Sequence, residues 1–202
     1  MNQFKKKMPV ELALQLLELA AEDRKLAIGN KLPYLTGAMH GYLRIIGESI
    51  AAPAHKQLAL KKLEILEARS DNLPYQVAET IQNVAQNLRA ELDHPMVNGD
   101  KKLPLELTMR LLESTMEKFE PKCRHKFVYL GGQIQAYLKI IDGAVISPGG
   151  KGIILRRLER ILQNQKTPIP LETRKIILEV IQNLQYELDH GYPGLTAPSS
   201  SL

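Results

Sequence analysis

Tyr34-Leu35-Thr36-Gly37-Ala38-Met39-His40-Gly41-Tyr42-Leu43-Arg44-Ile45-Ile46 decides how this chain reads, because it returns 95 residues later as Tyr129-Leu130-Gly131-Gly132-Gln133-Ile134-Gln135-Ala136-Tyr137-Leu138-Lys139-Ile140-Ile141. Working outward, a shift of 95 aligns residues 9–66 with 104–161 without a gap and gives 20 identical pairs in 58. Unrelated sequences would share about three or four. A shift of 96 then aligns residues 74–94 with 170–190, with 10 identities in 21. In the last run, Glu91-Leu92-Asp93-His94 returns as Glu187-Leu188-Asp189-His190. Agreement of this kind predicts a tandem duplication, with repeats over residues 1–94 and 104–190, a junction at 95–103 and a disordered Gly/Pro/Ser-rich tail at 191–202.

Each copy reads as four helices. Proline stands where it costs a helix nothing, in the first turn, at Pro9, Pro53, Pro74, Pro104 and Pro170. Helices are expected over residues 9–22, 33–50, 53–69 and 74–93, and again over 104–118, 121–145, 152–164 and 170–189. Residues 147–150, Ser-Pro-Gly-Gly, read as a loop. Inner stripes fall at Leu12, Leu16 and Leu19, at Ala59, Leu60, Leu63 and Leu66, and at Val77, Ile81, Val84 and Leu88. Alternating strand patterns are absent. The fold expected is all-α, two pseudo-symmetric four-helix bundles packed together.

Glycine inside both copies of the opening stretch argues for a close helix crossing, since Gly in a helix interior costs up to about 1 kcal/mol relative to Ala. Gly41 and Ala136, one turn on from Gly37 and Gly132, extend a seam of small residues. Tyr34 and Tyr42, with Tyr129 and Tyr137, share one face of each helix. They read either as core aromatics or as the lining of a groove that receives a partner helix.

Composition limits the functions to consider. Apolar residues make up 44% and charged residues 24%, as in ordinary globular proteins. The single Cys123 excludes an internal disulfide and suits a reducing compartment. No apolar run reaches the roughly 18 residues of a membrane span. The Lys5-Lys6-Lys7 start leads into an amphipathic helix carrying Glu11 and Glu18, which is no signal sequence. A cytoplasmic location without membrane insertion is expected. The net charge of +5 is borne mostly by the second half.

Three constellations could carry chemistry. Glu91-x-x-His94 and Glu187-x-x-His190 share the spacing used by di-metal helical bundles, with Glu11, Glu18, Glu64, Glu106, Glu113 and Glu159 as further ligands. Each pair sits at a helix C-terminus, whereas such metals lie in a bundle centre. An ion-pair cluster with Lys or Arg from an adjacent helix accounts better for the repeat. Lys56, Lys61 and Lys62 recur as Lys151, Arg156 and Arg157, with Arg160 added. They read as a solvated edge or as an anion or nucleic-acid site, without interleaved aromatics for base stacking. Lys122, Arg124 and Lys126 add charge near the sixth helix. No phosphate-binding loop, nucleophile elbow or zinc spacing is present.

The leading expectation is a non-catalytic, cofactor-free module that binds another protein, as adaptor, regulator or chaperone-like protein. The alternative is a basic nucleic-acid-binding regulator. A di-metal protein comes third.

Overall fold

The computed structural model describes residues 7–24, 29, 31–68, 73–93, 103–118, 124–163 and 169–191. These form eight helices: α1 (Pro9–Arg24), α2 (Lys31–Glu48), α3 (Pro53–Ala68), α4 (Tyr75–Asp93), α5 (Pro104–Glu117), α6 (Arg124–Gly143), α7 (Pro148–Gln163) and α8 (Leu171–His190). The described residues contain no strand, and one isolated bridge pairs Lys7 with Ala144. There the Lys7 N–H donates to the Gly143 carbonyl (3.2 Å) and the Val145 N–H donates to the Lys7 carbonyl (3.0 Å). These bonds pin the segment before α1 to the end of α6. No helix among the described residues is long and apolar enough to cross a membrane. The junction expected at 95–103 and the tail expected at 191–202 lie, apart from Leu103 and Gly191, outside the described residues.

Two compact units divide between Val145 and Ile146, with α1–α6 in the first and α7–α8 in the second. In the first unit α2 is the hub, packed against α1, α4, α5 and α6. Its sequence explains why. Leu35, Ala38, Met39, Tyr42, Leu43, Ile45 and Ile46 form a broad apolar arc and are all buried. Gly37 and Gly41 widen that arc, and Lys31, Arg44 and Glu48 stay exposed. An apolar arc this wide can face several neighbours at once. α3 packs on α4 and α1, and α5 packs on α6. In the second unit α7 lies against α8, burying Ile154, Leu155 and Leu158 with Ile177, Val180, Ile181 and Leu184.

Two sequence expectations are corrected. The inner face of α1 is Val10, Ala13, Leu14, Leu17, Ala20 and Ala21, while Leu19 is 54% exposed. Two leucine stripes satisfy helical spacing, and the buried one carries the alanines that let neighbouring helices come close. The loop expected at residues 147–150 is instead the start of α7. Ser147 Oγ accepts the Gly150 N–H (3.2 Å), the Ser147 carbonyl accepts the Lys151 N–H (2.9 Å), and Pro148 takes the first helical position. A serine cap followed by proline outweighs the propensity of two glycines. The inner stripe of α4 falls on Val77, Ile81, Val84 and Leu88, with Ala85 added. α3 buries Ala59, Leu63 and Leu66 as expected, and Lys56 with them.

Candidate protein-interaction surface

α2 and α6 cross at their glycines. A Cβ on Gly37 would overlap the carbonyl oxygen of Tyr129, and one on Gly132 would overlap the carbonyl oxygen of Tyr34. The two contacts are reciprocal, each partner standing 95 residues from its counterpart. One turn further, a Cβ on Gly41 would lie 3.0 Å from Ala136 Cβ and 3.4 Å from Tyr137 Cε1.

This crossing consumes the tyrosine face. Tyr42 is 3% exposed and Tyr137 is fully buried, which leaves neither in reach of a partner. Burial raises the pKa of Tyr42 and pushes that of Tyr137 up to about 12. The Tyr137 hydroxyl has no well-aligned hydrogen-bond partner, although Arg44 and Thr115 lie near enough to temper the shift. Tyr34 and Tyr129 are half-buried, and burial raises both. Tyr129 is further occupied by His40, whose ring meets it edge-on with centroids 5.7 Å apart.

The polar contacts of His40 fix its tautomer. Its Nε2 lies 3.4 Å from the Gln76 carbonyl, which can only accept, so Nε2 carries the proton. Its Nδ1, 2.7 Å from the Tyr129 hydroxyl, then accepts from it. The Gln133 amide donates to the same hydroxyl at 3.4 Å. Burial lowers the His40 pKa, opposed in part by the bond to Gln76. One neutral imidazole thus ties α2 to α4 and to α6.

The repeated Glu of the E-x-x-H pairs has a structural partner in each copy. Lys56 Nζ lies 2.8 Å from Glu91 Oε2, joining α3 to α4, and Lys151 Nζ lies 2.9 Å from Glu187 Oε2, joining α7 to α8. The lysine side chains are only 10% and 5% exposed. Lys56 and Lys151 therefore belong to the interior and not to a basic edge. His190 donates from Nδ1 to the Tyr186 carbonyl (3.0 Å) and stacks on the Tyr186 ring (4.2 Å, 20°), which caps the end of α8. Among the described residues no three His, Cys, Asp or Glu side chains converge to hold a metal ion. His94 lies outside the described residues, as does Cys123.

The basic edge is thinner than its spelling. Lys62 is bound to both carboxylate oxygens of Glu18 at 3.0 Å. Arg157 is half-buried and already engaged. Lys61, Arg156 and Arg160 are exposed and form no ion pair among the described residues.

What sequence reasoning missed is what surrounds those three cations. Ala54, Leu58, Lys61, Ile65 and Ala68 are all exposed, Leu58 at 39% and Ile65 at 45%. Their spacing of four, three, four and three places them along one line of α3, the seam that a second helix reads. It runs opposite the buried line of Lys56, Ala59, Leu63 and Leu66. The same positions of α7 hold Gly149, Ile153, Arg156, Arg160 and Gln163, all exposed, with Ile153 at 52%. The signal was present in the spacing, but the polar Lys61 at its centre disguised it as ordinary surface. α8 also turns Leu171, Leu178 and Tyr186 outward, where α4 has Tyr75, Gln82 and Ala90.

A scan of protein-family models finds no match to this chain, and neither a curated protein nor a solved structure shows significant similarity to it.

Proposed function

We propose that this protein is a non-catalytic helical module that binds another protein, and that the outward lines of α3 and α7 receive it. The observation that carries this reading is that both helices expose an apolar side chain beside a cation that forms no ion pair among the described residues, at matching positions. These are Leu58 with Lys61 and Ile153 with Arg156. Isolated exposed leucines are common, but a line at seam spacing is the pattern of helix-on-helix recognition. The tyrosine face serves the interior instead.

The two faces correspond because the chain is a duplicated four-helix unit. Supporting this are the reciprocal contacts of Gly37 and Gly132 and the equivalent buried pairs Lys56–Glu91 and Lys151–Glu187. A second reading, binding of nucleic-acid phosphates, draws on the exposure of Lys61, Arg156 and Arg160. It requires affinity at low salt that falls steeply as salt rises.

The test is a photo-crosslinking side chain placed at Leu58 or Ile153 of the full chain in its own cells, with Gln82 on the outer face of α4 as control. Adducts to another protein from positions 58 and 153, absent from 82, are expected. Equal labelling at all three positions, or none, would overturn the assignment.

A further inference from the structure

We infer that the occupant of the α3 line is an acidic amphipathic helix of another protein, which sets a carboxylate opposite Lys61 between two apolar side chains. The inference rests on the proposed interaction surface and names its partner. Its physical basis is the placement of one charge, without an ion pair among the described residues, at the centre of an otherwise apolar seam. Ala54, Leu58, Ile65 and Ala68 offer apolar surface along about 21 Å of helix, at 1.5 Å per residue. Lys61 stands midway and forms no ion pair among the described residues. Any helix that covers the line must desolvate this ammonium or compensate it, and a covered, unpaired charge is strongly unfavourable.

That requirement excludes a second copy of the same line. Parallel pairing of two α3 helices stacks like positions on like, and brings Lys61 against Lys61. Antiparallel pairing sets each Lys61 opposite Leu58 or Ile65 of the other copy, buried without a counter-charge. Only a partner bearing an acid at the matching level satisfies both the apolar positions and the cation. The flanking charges add little of either sign, because Lys62 is tied to Glu18 and Glu64 to Arg89 (2.7 Å). α7 points the same way. It keeps an apolar anchor at Ile153 and a central cation at Arg156, and adds Arg160 where α3 has Ile65.

The experiment uses the full-length chain and two labelled helical peptides of 21 residues. Both carry Leu and Ile at the seam positions. One has Glu and its twin has Lys at the remaining charged positions. Binding is followed by anisotropy at two salt concentrations. The acidic peptide should bind at least about tenfold more tightly than its twin, a difference of about 1.4 kcal/mol. Lys61→Glu should reverse or erase that preference, and Leu58→Asp should weaken both peptides. Lys139→Glu, an exposed lysine of α6, controls for net charge and should leave the preference in place. Equal binding of the two peptides, or a preference that survives Lys61→Glu, would overturn the inference. Crosslinks from position 58 to another protein, combined with no acidic preference, would leave the interaction module standing and remove only its partner class. Crosslinks to a second copy of this chain, or to nucleic acid, would overturn the inference as well.

Discussion

Gly131 and Gly132 are neighbours on α6 with opposite requirements. A Cβ at Gly131 meets nothing within 4 Å, whereas one at Gly132 would overlap the Tyr34 carbonyl. Gly131→Ala should therefore stabilise the fold by up to about 1 kcal/mol through helix propensity. Gly132→Ala should destabilise it by about 1–3 kcal/mol or more, since the helices must move apart. Urea unfolding of the two variants checks the sign of each, and the same loss is expected of Gly37→Ala. His40 makes the second prediction at this scale. Its pKa is lowered in the folded chain, so the unfolded chain binds the proton more readily. That contribution to stability is fully present above the ordinary histidine pKa of about 6.5 and is lost as pH falls through the folded value. His40→Gln, which installs the residue found at position 135, should flatten the fall in unfolding free energy between pH 7.5 and 5.5. An unchanged slope would show that the imidazole is not held neutral at the crossing.

Among the elements, the helices and their order were readable because each copy repeats the same proline starts and apolar stripes. What escaped was decided by contacts that no single stripe reports. α1 offers two leucine lines, and only packing selects the one with Ala13, Ala20 and Ala21. The start of α7 was obscured by Gly149 and Gly150, although Ser147 caps it. Ser147→Ala should accordingly cost about 1 kcal/mol, visible as a lowered midpoint of thermal unfolding. Lys56 and Lys151 are spelled like surface lysines, yet Glu91 and Glu187 lie 2.8 and 2.9 Å from them. Removing one partner leaves a buried charge. Glu187→Gln is therefore expected to destabilise by about 3–5 kcal/mol, and a paired Lys151→Met, Glu187→Leu change to recover most of the loss. If the double variant is no better than the single one, the pair is not the reason those residues recur.

On the scale of the whole molecule, repeat boundaries and packing boundaries are different quantities. The repeat is a property of spelling and breaks near residue 100, whereas compactness divides the chain between Val145 and Ile146. Similarity between the two stretches matches the reciprocal α2–α6 crossing, and it carries no information about which helices gather around which core. Six helices share the first unit, with α2 at its centre, while the second unit is the α7–α8 pair alone. A two-helix unit buries few side chains, here chiefly Ile154, Leu155, Leu158, Ile177, Val180, Ile181 and Leu184. Small cores give small opening free energies, and local stability follows buried apolar contact. Native-state hydrogen exchange should therefore find the amides of α7 and α8 opening at lower free energy than those of α2 and α6, as a separate cooperative group. Low concentrations of urea should narrow the gap, because the opening of α2 and α6 exposes more surface and its free energy falls more steeply with urea. One common opening free energy for all eight helices would mean that the Val145–Ile146 division has no energetic counterpart, and that the chain unfolds as one body.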